Sequence, residues 1–307
     1  MYMLGTCRCG CVTRVVQVLS AHEKTEGTMR FARVRTATGI RPVMMSSGTA
    51  YDLSGRLEDL TSERLPLLRE FAGDGSGLPE VDLSEAEFDA PVAGVGSVIA
   101  IGMNYAAHAA ESGSTPPSIP VMFLKTSNTI AGPNDDVRIP ARSMKLDWEV
   151  ELAMVVGRRA YELGDDEDPI DYVAGFTIAD DLSERTFQID ESGGQWSKGK
   201  CLPGSTPIGP WLVTPDEVDA GALRLRSFVN DEPRQDSSTA DMIFDCAEII
   251  RHLSQYLALE PGDVVLTGTP EGVALSGRFP YLKAGDVVRV EIDGLGQQTQ
   301  RLVRADR

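Results

Sequence analysis

Nowhere among the 307 residues does an apolar run reach the ~18 positions that a membrane-spanning helix needs. Cysteine is scarce and badly placed for crosslinking. The five are Cys7, Cys9, Cys11, Cys201 and Cys246, an odd and uneven set that does not read as a disulfide framework. A reducing cytoplasm is the expected setting. Basic residues are in deficit, 29 against 46 acidic, for a formal charge of −17. That balance argues against nonspecific binding to nucleic acid or to an anionic membrane. It leaves an anionic small substrate open, because a local cluster of metal or lysine outweighs the global field. No G-x-G-x-x-G fingerprint occurs. Gly194 to Lys200 satisfies G-x-x-x-x-G-K, but Cys201 stands where a phosphate loop needs Ser or Thr, and no buried strand precedes it.

What is present is ordinary for a globular protein: 42% apolar and 24% charged residues, in a chain long enough to bury a core without disulfides. Three parts are expected. Residues 1–28 read as a loose arm or start-site artefact. The alternative is a thiolate metal site, but Cys7, Cys9 and Cys11 at every second residue do not match zinc spacing. Residues 29–93 read as a small α+β domain, with strands over 31–35 and 42–53 and a helix over 62–71. Gly73 to Gly77 punctuates the chain. From 94 to 307 short β-rich runs follow one another: 97–101, 121–124, 148–156, 172–179, 223–229, 263–266 and 287–292. One helix, over 247–257, interrupts them. The fold class is α+β, mostly β, without the strand–helix alternation of a parallel sheet.

Asp147-Trp148-Glu149-Val150-Glu151-Leu152 is the most informative segment. On a strand, Asp147, Glu149 and Glu151 share one face. Carboxylates entering a buried strand side by side repel one another, and a hard divalent cation is the simplest compensation. The alternative is an exposed strand with a polar face. Asp180-Asp181 closes another apolar run and offers a third ligand, or else a helix cap. His108 and Glu111, three apart, share one side of a helical turn. A carboxylate beside an imidazole suits a general base, and an ordinary surface helix carries the same pair. Cys201 reads as a small buried thiol rather than a nucleophile.

In chain order the motifs are Gly-Met-Asn-Tyr-x-x-His-x-x-Glu (102–111), Phe-Leu-Lys (123–125), Asp-Trp-Glu-Val-Glu-Leu (147–152), Asp-Asp-Leu-Ser-Glu-Arg (180–185), Gly-Lys-Cys (199–201), Gly-Pro-Trp (209–211), Ser-Thr-Ala-Asp-Met-Ile-Phe (238–244) and Thr-Gly-Thr-Pro-Glu-Gly-Val (267–273). Together they resemble the fumarylacetoacetate hydrolase family over roughly two thirds of the chain. Within it the chain looks most like bacterial hydrolases of diketo sugar acids, such as 2,4-diketo-3-deoxy-L-fuconate hydrolase, and like acylpyruvase-like enzymes. Met103 departs from the arginine of the latter, and Cys201 and Pro203-Gly204-Ser205 depart from the family's usual residues.

The resemblance implies a mixed β-sandwich roll, a homodimer, and a small-molecule 2-oxo or 2,4-dioxo acid substrate. It implies Glu149, Glu151 and Asp181 as ligands of Mg²⁺ or Mn²⁺, and His108 with Glu111 as the water-activating dyad. It places Lys200 beside the metal, and Lys125, Gln188 and Thr269 on substrate. The implied reaction is hydrolysis of a C–C bond through an enolate. Oxaloacetate decarboxylation and 2-hydroxydienoate isomerisation are alternatives on the same site, and a metal-stabilised scaffold without chemistry is the non-enzymatic one.

Overall fold

The computed structural model describes residues 28–71 and 75–304. The N-terminal arm with its three cysteines lies outside these residues apart from Thr28, as does part of the glycine-rich stretch at 73–77.

The fold is mostly β. A ten-stranded sheet runs in the order Thr49–Asp52, Gly39–Ser46, Arg30–Thr36, Leu212–Val213, Val173–Asp180, Val150–Val156, Val264–Leu266, Val98–Gly102 and Val121–Lys125, with Glu87–Asp89 also paired to Arg30–Thr36. Its one parallel pairing sets Val264–Leu266 beside Val98–Gly102. A five-stranded sheet runs in the order Glu232–Ser238, Arg224–Val229, Val287–Ile292, Gly296–Arg304 and Val137–Ile139. Arg30 and Phe31 pair with Val213 and Leu212, so the 29–93 segment enters the same sheet as the rest of the chain.

The centre of the large sheet explains the packing. All seven residues of Val150–Val156 are buried, as befits a strand covered on both faces. Val150, Leu152, Met154 and Val156 join Leu225, Val288, Val290 and Ile292 of the second sheet in one core. Ala153 and Val155 face the other way, into a core with Leu53, Leu60, Leu65 and Leu68. Period two therefore feeds two cores from one strand. Each large apolar side chain buried there contributes about 1.5–3 kcal/mol.

Three local expectations need correction. The strand expected over 42–53 is a hairpin, because Ser47 and Gly48 take positive φ values of 48° and 81° and turn the chain between Gly39–Ser46 and Thr49–Asp52. The helix expected over 62–71 is a 3₁₀ stretch, Leu65–Glu70. Pro66 has no N–H for an α-helical ladder, yet Leu65 and Leu68 still reach the core. The helix expected over 247–257 is Cys246–Ser254, opened by Asp245, whose carboxylate accepts the Glu248 N–H. Ile249, Ile250 and Leu253 are its buried face.

Candidate active site

The strand Val98–Gly102 delivers the chain to Met103, which sits at φ 58°, and then to the short helix Ala106–Glu111. Buried Asn104 holds this bend. Its amide donates to the Phe244 and Thr267 carbonyls and its oxygen accepts the Phe244 N–H. The helix then sets His108 Nδ1 3.1 Å from Glu111 Oε1. The Gly272 N–H donates to both Glu111 oxygens, at 3.0 and 3.2 Å. With Nδ1 engaged, Nε2 is the ring nitrogen left for the cleft that His108 lines.

The carboxylates converge from the neighbouring strands. Glu149 immediately precedes Val150–Val156, Glu151 lies within it, and Asp181 follows Val173–Asp180. Each offers an oxygen within 4.8 Å of the others, and all three are buried. Asp147 stands apart from this group, contrary to the single face read from the sequence. Leu146–Asp147 pairs separately with Ser183–Glu184, and the run becomes part of the large sheet only at Val150. Asp147 instead accepts hydrogen bonds from Arg185 Nε and from the Ala274 and Leu275 N–H groups. Nor do Asp180 and Asp181 cap a helix: Asp180 accepts the Glu149 N–H at 2.9 Å, and Asp181 binds two lysines.

Three buried cations interleave with these acids. Lys200 Nζ donates to Glu149 Oε2 at 2.6 Å and to Asp181 Oδ2 at 2.7 Å. Arg185 bridges Asp147 and Glu149. Lys125 pairs with Asp181. Burial disfavours the Glu149 carboxylate, but Lys200 and Arg185 outweigh it and hold its pKa at about 2. Burial, then Asp181 and Glu149, push Glu151 well above the carboxylate range. Burial also drives Asp180 up to about 8, against its bond from the Glu149 N–H and with Asp181 and Glu149 adding to the rise.

The donor set fits a divalent cation. The five buried carboxyls of Asp147, Glu149, Glu151, Asp180 and Asp181 outnumber the three buried cations Lys125, Arg185 and Lys200 among them, and two of the five are pushed toward protonation. An oxygen-only set of buried carboxylates suits a hard ion such as Mg²⁺ or Mn²⁺.

A cleft of about 290 Å³ opens onto this cluster. Of the residues expected at the site, His108, Glu111, Glu149, Glu151, Gln188, Lys200 and Thr269 line it. Asp181 and Lys125 do not; both side chains are fully buried behind it. Gln188 Oε1 accepts from Arg185 Nη1, which turns its amide N–H₂ group away from the arginine. Thr269 has already donated its hydroxyl hydrogen to the Val150 carbonyl. Cys201 is half-buried rather than enclosed, and Cys246 is the enclosed thiol, its pKa driven up to about 12 by burial. Sequence reading missed Arg185, although it ends the Asp-Asp-Leu-Ser-Glu-Arg run. Met103, the position that departs from the acylpyruvase-like arginine, lines the cleft, as does Trp196, to which the sequence reading gave no role there. Trp196 packs edge-on to Phe123 and so tightly on Gly102 that a Cβ there would collide with its ring.

The chain belongs to the fumarylacetoacetate hydrolase family and is a hydrolase: residues 97–303 match the family's C-terminal domain. It is 42% identical over 279 residues to the 2,4-didehydro-3-deoxy-L-rhamnonate hydrolase of a Sphingomonas species, covering 89% of this chain and 96% of that one. Among solved structures it is similar to the fumarylacetoacetate hydrolase of psychrophilic Exiguobacterium antarcticum, with TM-score 0.80, 31% identity, and 91% and 100% of the two chains covered. It is also similar to the 5-carboxymethyl-2-hydroxymuconate delta-isomerase of Mycobacterium smegmatis, with TM-score 0.73, 32% identity and the same coverage.

Proposed function

We propose that the chain cleaves the C3–C4 bond of a 2,4-dioxo acid, in particular a diketo sugar acid, with Glu149, Glu151 and Asp181 holding Mg²⁺ or Mn²⁺. One observation carries this reading: the His108–Glu111 pair and the Glu149–Glu151 carboxylates open into the same cleft. The Sphingomonas relative's name supplies the substrate class.

His108 takes a proton from water at Nε2, and Glu111 stabilises the imidazolium through Nδ1. The water oxygen bonds to C4. The C3–C4 electron pair leaves with the three-carbon 2-oxo acid fragment as its enolate. His108 returns the proton to C3, so water and substrate yield a 2-oxo acid and a second carboxylic acid. Lys200, buried at the cleft wall, presents positive charge where the enolate oxygen develops. Gln188, with its oxygen held by Arg185, offers N–H donors to a carboxylate or keto oxygen. The bound cation would supply Lewis-acid polarisation and charge stabilisation worth several kcal/mol. Lys125 neutralises Asp181 rather than touching substrate.

Isomerisation of a 2-hydroxydienoate is the second reading, favoured by the likeness to the Mycobacterium smegmatis isomerase. The proposal extends to a cytoplasmic homodimer. The edge strand Val121–Lys125 exposes the Met122 and Leu124 side chains, with Ile119 beside them, an apolar patch on which a second copy would seat. The test is the ultraviolet enol absorbance of a panel of 2,4-dioxo acids, with oxaloacetate and a 2-hydroxydienoate alongside, before and after Mg²⁺ and then EDTA. Metal-dependent loss of a dioxo acid supports hydrolysis. Loss of oxaloacetate alone, or of the dienoate alone, reassigns the site to decarboxylation or isomerisation.

A further inference from the structure

One fully buried amide lies outside the machinery described so far. Gln235 belongs to the edge strand Glu232–Ser238 of the five-stranded sheet, is 1% exposed, and reaches across to the large sheet. Its Oε1 accepts from the Val150 N–H at 3.1 Å and from Ser227 Oγ at 2.9 Å. Its Nε2 donates to Thr269 Oγ1 and to the Pro270 carbonyl, each at 2.8 Å. A primary amide has two lone pairs and two N–H hydrogens, and here all four are used.

The partners are not scattered. Val150 is the residue between Glu149 and Glu151. Thr269 Oγ1 in turn donates to the Val150 carbonyl at 2.9 Å. Val150, Gln235 and Thr269 therefore form a closed ring of hydrogen bonds around one peptide residue of the carboxylate strand. The same loop continues to both sides of the site. The Gly268 N–H donates to Glu151 Oε2 at 2.7 Å, and the Gly272 N–H clamps Glu111. Gly272 rests on the backbone beside Gln235 so closely that a Cβ would strike the Arg234 carbonyl.

We propose that Gln235 is a positioning residue that locks the Glu149–Glu151 strand to the 268–272 loop, and through that loop to the His108–Glu111 dyad. It touches no reacting atom. Its amide fixes the peptide between two carboxylates and the loop whose N–H groups aim Glu151 and Glu111. Outer partners of metal-ligating side chains typically control affinity or activity by about 10–100-fold. The inference rests on the reading that Glu149, Glu151 and Asp181 hold a divalent cation.

The experiment compares the parent protein with Gln235→Met, which keeps volume and loses every hydrogen bond, and with Ser227→Ala, which removes one partner and leaves the ring closed. Thermal melts, Mn²⁺ titration followed by electron paramagnetic resonance, and amide exchange at 268–272 in metal-free protein are read together. Q235M is expected to stay folded, to bind Mn²⁺ about 10–100-fold more weakly and to exchange faster at 268–272. S227A is expected to melt lower with Mn²⁺ affinity unchanged. On any substrate the parent turns over, Q235M should lose kcat at least about tenfold with KM moving less. Should Q235M fail to fold, Gln235→Glu keeps both acceptor bonds and breaks the donations to the loop; it is expected to show the faster exchange and the loss of kcat. A folded Q235M, or failing that a folded Q235E, with parental Mn²⁺ affinity, exchange and kcat overturns the assignment of Gln235 alone. A parent that binds no Mn²⁺ overturns the metal reading and the inference with it.

Discussion

At the scale of the residue, the proposed function separates a group that would move protons from a group that would hold charge. His108 contacts Glu111 and lines the cleft, while Glu149, Glu151 and Asp181 are tied to one another and to buried cations. His108→Ala should therefore lower kcat by about 10²–10⁴-fold and leave Mn²⁺ affinity intact. Glu149→Ala should abolish metal binding and turnover together, because it removes a proposed ligand and leaves Arg185 with Asp147 and Lys200 with Asp181 as their remaining acidic partners. Calorimetric Mn²⁺ titration of the two variants, beside their steady-state kinetics, checks the division. The pairs 108/111 and 149/151 were legible in the sequence because their relations are local, one helical turn and one strand face, whereas Asp181 was chosen over Asp180, and Lys200 named, only through the family resemblance. Asp147 broke the same rule where the strand breaks. Arg185 and Gln235 were illegible for a different reason. Their partners lie 36 and 85 residues away, and no periodicity reports a contact at that separation.

At the scale of the element, turns decide where the chemistry points. The 268–272 loop supplies N–H donors to Glu151 and Glu111, and two of its positions, Gly268 and Gly272, lie at φ 95° and 101°. Gly272→Ala meets both a left-handed backbone and the Arg234 carbonyl, so the loop must move. It should lower kcat sharply with a smaller effect on metal affinity, which kinetics and Mn²⁺ titration read separately. The helix Cys246–Ser254 offers a purely structural contrast. Asp245→Ala removes its N-cap bond and should cost about 1 kcal/mol in a thermal or urea melt, with kcat unchanged. Most strands were readable from apolar runs and their Gly, Pro and Asp boundaries. The hairpin at Ser47–Gly48 and the 3₁₀ turn at Pro66 were not, because one residue with a special backbone outweighed a window of favourable pattern.

At the scale of the whole molecule, an ion pair ties the 29–93 segment to the loop that precedes Val137–Ile139. Arg35 donates to both oxygens of Asp135, with Nη2–Oδ2 at 2.8 Å. The Arg35 hydrogen bonds, opposed by partial burial, hold the Asp135 pKa below its ordinary value. A depressed carboxylate stabilises the fold above its unfolded pKa and loses that contribution as pH falls through the folded one. Asp135→Asn should therefore lower the melting temperature at neutral pH, by about 1 kcal/mol of stability, and the difference should shrink as pH falls below the ordinary aspartate range. The exposed Leu124 belongs to this scale too: if the proposed homodimer forms through it, the parent sediments as a dimer and Leu124→Lys as a monomer. The measurement that bears most directly on the central claim is product stoichiometry from a six-carbon 2,4-didehydro-3-deoxy sugar acid of the rhamnonate type, with Mn²⁺ and then with EDTA. Cleavage between C3 and C4 predicts one pyruvate and one lactate for each substrate lost, and neither once the metal is removed. Loss of the enol absorbance without pyruvate, or with a full yield in EDTA, would contradict it.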